Sequence, residues 1–433
     1  MSDTSDTVVR PAGFPSGAAP GPLRRYGPWI VLALLLLVLP RVFSSGLSIS
    51  TMCVMGTMII FALSYNMLLG QSGLLSFGHA VFFGLGGFLT AQMMNMMAGG
   101  EGPLPLMVYP LVGGLAGLVF GVIFGAVATR RAGTAFAMIT LGIGELVTSS
   151  ALILRGFFGG ETGITVDRTE IHQVFGLSFG PQVQVYYLIA GWCLVSVIAM
   201  YAITRTPFGR ICNAVRDNPQ RVNFVGYNTT VVRFIAFSLA GLFAGIAGGL
   251  ASINFEIMNS AQMGAAESGS VILMAYIGGV GNFAGPIIGA IVVTYLHLML
   301  SDLSDVWELY FGLLFISMVM YAPNGIAGVI MMQRPLIRRG QLLRVAPYYV
   351  LALIPGLVAL AGLSMIIEMT HQLSISASEG LGMTMMGIAF NADALLPWLT
   401  AVVLLGGGGW LGVRAARLAR EAYGAAMVRG RVQ

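Results

Sequence analysis

The stretch 268–300, SGSVILMAYIGGVGNFAGPIIGAIVVTYLHLML, decides the fold. It is apolar throughout. Its middle, Gly278-Gly279-Val280-Gly281-Asn282-Phe283-Ala284-Gly285-Pro286, cannot continue as an ordinary helix, because glycine weakens a helix interior and proline removes a backbone donor. The reading is two short helical pieces, each about 20 Å long at 1.5 Å per residue, shorter than the roughly 30 Å of a bilayer core. Counting this stretch as one crossing or two sets the sidedness of everything after it.

Outward from this break, the 433-residue chain is 57% hydrophobic and 9% charged, far below the roughly 25% charged usage of soluble domains. Its solvent is largely lipid. Apolar blocks recur near 29–43, 47–69, 74–97, 106–128, 132–154, 186–204, 231–253 and 307–321, and again near 348–367 and 395–413. They suit spanning helices rather than alternating barrel strands, and a spanning helix satisfies its own backbone. The expected fold is therefore all-α: a polytopic membrane protein with about 10 core transmembrane helices, Gly-rich broken segments, and 2 more helices at the C-terminal side. Residues 1–26, rich in Ser, Thr, Pro, Gly and Ala at their start, read as a disordered cytoplasmic tail. The run 29–39 lies behind that long tail and meets Pro40-Arg41 instead of a small-residue cleavage site, so it reads as a first span and not a signal peptide. Residues 27–330 form the expected transmembrane domain, and 331–433 an extension with a basic cytoplasmic end.

Every one of the 22 basic residues is arginine, and the formal charge is +5. The arginines sit between apolar blocks, which marks topology and not nucleic-acid binding. With 268–300 counted as two passes, both termini fall inside, together with Arg130, Arg131, Arg205, Arg210, Arg216, Arg221 and the cluster from Arg334 to Arg344. Only Arg41, Arg155 and Arg168 remain outside. One pass would put the Arg334 cluster on the wrong side. Glu101, Glu161, Asp167, Glu170, Glu256, Glu267, Asp302, Asp305 and Glu308 all read as outside, on solvated loops or a face that meets a soluble partner. Cys53 and Cys193 lie in apolar blocks and Cys212 in a basic loop, with no CxxC pair, so neither disulfide nor metal site is expected.

The long inside loop 205–230 reads as two short helices, with Asn218 as N-cap, Pro219 at the first helical position and Gly226 closing the second. Its residues Phe208-Gly209-Arg210, Asn213-Ala214-Val215-Arg216-Asp217-Asn218 and Val225-Gly226-Tyr227-Asn228 resemble the coupling loop of branched-chain amino acid and urea ABC importer permeases. The resemblance extends, in order, through Gly70-Gln71-Ser72-Gly73-Leu74-Leu75-Ser76-Phe77-Gly78-His79-Ala80, Thr140 to Glu145, Gly159 to Ile164, Ala244 to Gly249, the Gly278 break, and Tyr321 to Ile326. It covers roughly residues 50 to 330, and within the family it resembles the second of the two permease paralogues. The general importer pattern, Glu-Ala-Ala followed by Gly after three residues, falls on Gln220-Arg221-Val222 and Gly226, where only the glycine matches.

This resemblance implies an importer of branched-chain or similar small hydrophobic amino acids in a bacterial inner membrane, assembled from a second homologous permease, two ATPase subunits that bind ATP and Mg, and a periplasmic solute-binding protein. It implies a role in ATPase coupling for Phe208, Gly209, Arg210, Ala214, Arg216, Asp217, Asn218 and Gly226. The chain itself has no GxxxxGK[ST] phosphate loop and no paired carboxylates or nucleophile arrangement, so no catalytic residues and no bound cofactor are expected. Glu145, read as the only carboxylate deep in a span, lines a pathway, binds an ammonium group or bonds between helices. Gln71, Ser76, Ser270 and Asn282 are candidate pathway neighbours; His79 is either another or a packing residue. Urea, short amides or aromatic acids remain alternative solutes, and an ion-coupled secondary transporter is the alternative class.

Overall fold

The computed structural model describes residues 22–98, 104–171, 178–322, 324–338, 340–379, 382–385, 388–391 and 394–432. The expected disordered tail, up to residue 21, lies outside these. Helix α1 (Pro22–Val42) begins inside the region expected to be tail, since proline at the first helical position loses only an N–H that would have no partner there. Next come α2 (Gly46–Asn66), α3 (Ala80–Met96), α4 (Tyr109–Ala128), α5 (Thr134–Ile153), the single turn α6 (Arg155–Phe158) and α7 (Gln182–Arg205). The loop pair α8 (Pro207–Asp217) and α9 (Pro219–Phe224) leads into α10 (Thr229–Phe255), α11 (Ala265–Gly278) and α12 (Gly285–Leu303). Last are α13 (Trp307–Tyr321), α14 (Gly325–Arg338), α15 (Leu342–Glu379) and α16 (Leu395–Val432).

Among the described residues, 8 helices are long and apolar enough to cross a membrane, and three shorter apolar ones accompany them in α1, α3 and α11. The expected crossing at 307–321 is corrected: α13 meets that test only together with α14, as a pair bent by 41°, because 15 residues span only about 22 Å. Helix α14 also runs unbroken through the expected domain boundary at residue 330.

Helix α10 is the axis of the bundle. Of its most apolar window 78% is buried, against 39% or less for the other helices of spanning length. Glycines let its neighbours approach backbone to backbone, the way helices associate when lipid offers no hydrophobic drive. A methyl group on Gly86 would stand 2.5 Å from the Cα of Gly245, and one on Gly113 2.5 Å from the Gly245 carbonyl oxygen. Gly117 faces Gly241, and Gly248 faces the Phe83 carbonyl, with no room for any side chain. The segment Ala244 to Gly249 is thus the seam joining α3 and α4 to α10.

At one end of the bundle lie α8 and α9; at the other, a two-stranded ribbon pairs β1 (Ile164–Thr165) antiparallel with β2 (Ile257–Met258). Arg168, which the charge pattern left on the arginine-poor side, is buried at the ribbon end. Its guanidinium donates to the carbonyls of Phe179 (2.8 Å), Gly180 (3.2 Å) and Ile253 (3.2 Å) and to Gln182 Oε1 (3.2 Å). It fastens the α6–α7 connection to the end of α10, a structural use that explains its exception to the charge bias. Beyond α14, α15 and α16 pack on one another and are joined by a second ribbon, β3 (Gly382–Met385) with β4 (Ile388–Asn391). Glu368 of α15 ties this hairpin to the body by accepting hydrogen bonds from Ser304 Oγ (2.6 Å) and Tyr310 Oη (2.9 Å).

The glycine seam yields a direct test. Gly245→Val is expected to lower stability by about 3 kcal/mol, because the added methyls force α4 and α10 apart. Gly406→Ala, at an α16 glycine with open space around it, should leave stability unchanged or slightly raised. Thermal unfolding of the chain in mild detergent measures both, and equal melting of Gly245→Val and the unaltered chain would refute the seam.

Candidate functional site

The loop folds as its sequence suggests, from its caps. Thr206 Oγ1 accepts from Gly209 N (3.4 Å) to start α8, and Asn218 Oδ1 accepts from Arg221 N (2.9 Å) to start α9, with Pro207 and Pro219 at the first helical positions. Gly226, at φ 96°, closes α9: its N–H donates to Asn223 O (3.0 Å) and Tyr227 N donates to Val222 O (3.3 Å). Cys212, Val215 and Val222 are buried against Val232 and Ala236 of α10, with Phe208 packed on them. Gly209 leaves no room for a side chain beside Thr204. Phe208 and Gly209 therefore hold the loop together, whereas Arg210, Ala214, Arg216, Asp217 and Asn218 are exposed. Sequence reasoning quoted Val225 and Tyr227 without assigning them, and passed over Phe224. The structure sets all three outward as an apolar tip, Phe224 being 91% and Val225 71% exposed.

Arg216 links this loop to the membrane core. Helix α2 ends in a π-helical turn, Met67–Gln71, and the Arg216 Nη1 donates to the Gly70 carbonyl there. Gly73, at φ 69°, presents its bare backbone to the Arg216 side chain. A methyl group on Gly70 would stand 2.6 Å from the Val280 carbonyl, so the two Gly-rich breaks touch each other directly beneath Arg216. Such π-turns concentrate where helices must be interrupted for function.

The expected span at 74–97 is corrected: 73–79 is not helical, and α3 starts only at Ala80. Gly and Ser in SGLLSFGHA favour an irregular path, and its polar groups find partners inside the protein. Phe77 N donates to Thr140 Oγ1 (3.2 Å) and Ala80 N to Ser268 Oγ (3.1 Å). The second contact fixes the depth of α11. At the far end of α3, Asn95 Nδ2 donates to Thr165 O in the ribbon (3.1 Å), and that end lies about 24 Å from Ala80 at 1.5 Å per residue. The segment between α10 and α11, expected to be an outside loop bearing Glu256 and Glu267, therefore descends into the bundle. Glu267 sits at the foot of that descent in the first turn of α11.

Between α11, α12 and α13 lies a cavity of about 720 Å³ whose wall includes Phe77, Asn259, Gln262, Glu267, Ser270, His297 and Glu308. Of the predicted pathway residues only Ser270 lines it. Gln71 and Ser76 are buried in packing, and Asn282 is half-buried in the second break. His79 is enclosed: its Nε2 is 2.9 Å from Ser64 Oγ, and its ring lies among Phe61, Tyr65 and Phe82. Glu145 points away from the bundle on the exposed face of α5, flanked by exposed Met138 and Leu146. Asn259, Glu267 and His297 were missed; a carboxylate immediately before the apolar run 268–278 was the available signal.

Broken helices around a largely apolar cavity with a few polar groups in its wall, tied to an exposed helical loop outside the span, are the architecture of a polytopic transport permease. Residues 48–322 match the family model for the permease component of the branched-chain amino acid transport system, and the chain belongs to that family. It is similar to the high-affinity branched-chain amino acid transport system permease protein LivM of Escherichia coli, 27% identical over 289 residues, 62% of this chain and 67% of that one. Similar too are the high-affinity branched-chain amino acid permease BraD of Pseudomonas aeruginosa, 23% identical over 284 residues, 63% of this chain and 92% of that one, and the ribose import permease RbsC of Haemophilus influenzae, 25% identical over 232 residues, 51% of this chain and 67% of that one. No solved structure matches it. Helices α15 and α16 lie outside the family match.

Cys212 reports on loop packing. Burial between α8 and α10 pushes its thiol up to about 12, and a raised pKa leaves a thiolate fraction of only about 10⁻⁵ at pH 7. All three cysteines are free and buried. Maleimide should therefore label the folded chain slowly at pH 7 and rapidly once SDS opens it, and fast labelling of Cys212 in the folded chain would contradict the packing.

Proposed function

We propose that this chain is one membrane subunit of an importer that moves branched-chain amino acids inward across a bacterial inner membrane, driven by ATP hydrolysis with Mg in separate subunits. Both termini and the α8–α9 loop face the cytoplasm in this reading, which the arginine distribution supports. The observation that carries it is the loop itself. An exposed apolar tip at Phe224 and Val225 is costly on a monomer's aqueous face and suits insertion into a partner, here an ATPase subunit. Arg216 carries any displacement of that loop to Gly70 and so to the paired helix breaks.

A second homologous permease is placed against α5 in this reading. Glu145 would otherwise face lipid, at a cost of at least about 2.5 kcal/mol for an ionised group at mid-span. The ribbon end, with its acidic loops, is the docking face for a periplasmic solute-binding protein. Branched-chain amino acids are the solute by the names of LivM and BraD; the match to a ribose permease means that family membership alone leaves the solute open.

Reconstitution of the chain with its copurifying subunits tests the assignment. Phe224→Asp is expected to release the ATPase and to lower ATP-driven leucine uptake by at least about 30-fold, the loss of an interface hot spot worth about 2 kcal/mol or more. Arg216→Ala should retain the ATPase but lower uptake per ATP by about 10-fold, the equivalent of one charge-assisted hydrogen bond. Leucine accumulation by the chain alone, driven by an ion gradient and indifferent to Phe224→Asp, would establish a secondary transporter instead.

A further inference from the structure

We infer that the cavity between α11, α12 and α13 receives the ammonium group and apolar side chain of the transported amino acid, with Glu267 and Asn259 as acceptors for the ammonium; this rests on the importer reading above. In its wall Glu267 Oε1 is buried without a hydrogen-bond partner among the described residues, and the Asn259 side chain beside it meets the Gln262 N–H in a capping box, which leaves its oxygen a second lone pair. A buried acceptor left unpaired is costly, and a donor-rich guest relieves it. A lipid tail or an apolar helix would leave it unpaired. An ammonium group supplies three donors and a charge opposite to that of a carboxylate.

The rest of the wall suits the other half of such a guest. Phe77, Ile272, Leu273, Val293, Phe311 and Phe315 supply apolar surface, and the volume, about 720 Å³, falls within the roughly 300–1,000 Å³ of small-molecule sites. The backbone points the same way. Both the 73–79 segment and the descent from β2 to α11 leave helical geometry well inside the bundle, and irregular backbone at that depth persists only where protein covers it or it lines a cavity. Transporters place solute sites at such interruptions, midway through the span. Here one interrupted segment spans the distance from Gly73, against Arg216, to Phe77 in the cavity wall. The guest site is thus joined to the loop that receives the motor.

The test uses the complete importer in nanodiscs, with the native cysteines replaced and Ala266→Cys, at another cavity-wall residue, as reporter. Saturating leucine is expected to slow labelling by a charged maleimide at least about five-fold, while the 2-keto acid analogue, which lacks the ammonium group, gives no protection. Glu267→Gln should abolish the protection and raise the KM of leucine uptake by about tenfold, one charged hydrogen bond's worth, with the ATPase still bound. Unprotected labelling alongside normal ATP-driven leucine uptake would overturn the cavity assignment and leave the importer standing. A reporter that the maleimide cannot reach in the assembled complex would overturn it too, since a partner subunit would then fill the cavity. Absence of ATP-driven leucine uptake by the unaltered complex would sink the importer reading itself.

Discussion

A backbone that leaves its helix inside a bilayer must find other partners for its N–H and C=O groups, and much of this molecule follows from that requirement. The chain interrupts its helices at 73–79, between α10 and α11, and between α11 and α12. Each interruption is met by protein. Thr140 and Ser268 hydroxyls accept from the first, the β1–β2 ribbon pairs the second, and the two Gly-rich breaks close on each other at Gly70 and Val280. Arg216, which donates to the Gly70 carbonyl at this junction, comes from outside the span. A charge at this end of the molecule therefore touches the interrupted backbone directly.

Rigid and adjustable parts are separated accordingly. Helices α3, α4 and α10 are locked by backbone-to-backbone contact along the glycine seam, where any side chain would have to push helices apart. Helix α5 packs against the body on one face and leaves the other, with Glu145, exposed among the described residues. Helices α11, α12 and α13 line the cavity; α12 is of spanning length, whereas α11 is short and α13 reaches that length only with the bent α14. The loop tip and the cavity thus lie on opposite sides of the same interrupted segment, with the seam as a fixed frame.

The α15–α16 hairpin is built differently. Gly362 and Gly408 let its two helices approach closely, and its ties to the body are polar: Glu368 with Ser304 and Tyr310, and Tyr423 Oη donating to Met332 O (3.1 Å). Glu368 also corrects the expectation that Glu145 is the sole carboxylate within a span, since it falls inside the apolar stretch Val345–Ser374. A carboxylate there is tolerable because two hydroxyls donate to it. Near the other end of the hairpin the Arg414 guanidinium lies 3.7 Å over the Trp410 ring, an amphipathic pair of the kind that anchors a helix at a membrane interface.

Sequence alone determined the all-helical, multi-span architecture, the caps of α8 and α9, and the fact of the Gly-rich breaks, because hydropathy, proline, glycine and Asn caps act over a few residues. It could not determine that 73–79 turns back into the bundle instead of continuing as helix, nor that Glu267 ends beside a cavity and His79 inside a packed aromatic cluster. Those outcomes depend on contacts between residues 60 to 190 positions apart, such as Phe77 with Thr140 and Ala80 with Ser268. The apolar pattern of a segment is the same whether it faces lipid, a neighbouring helix or a hollow; only the packing of the other helices around it decides which.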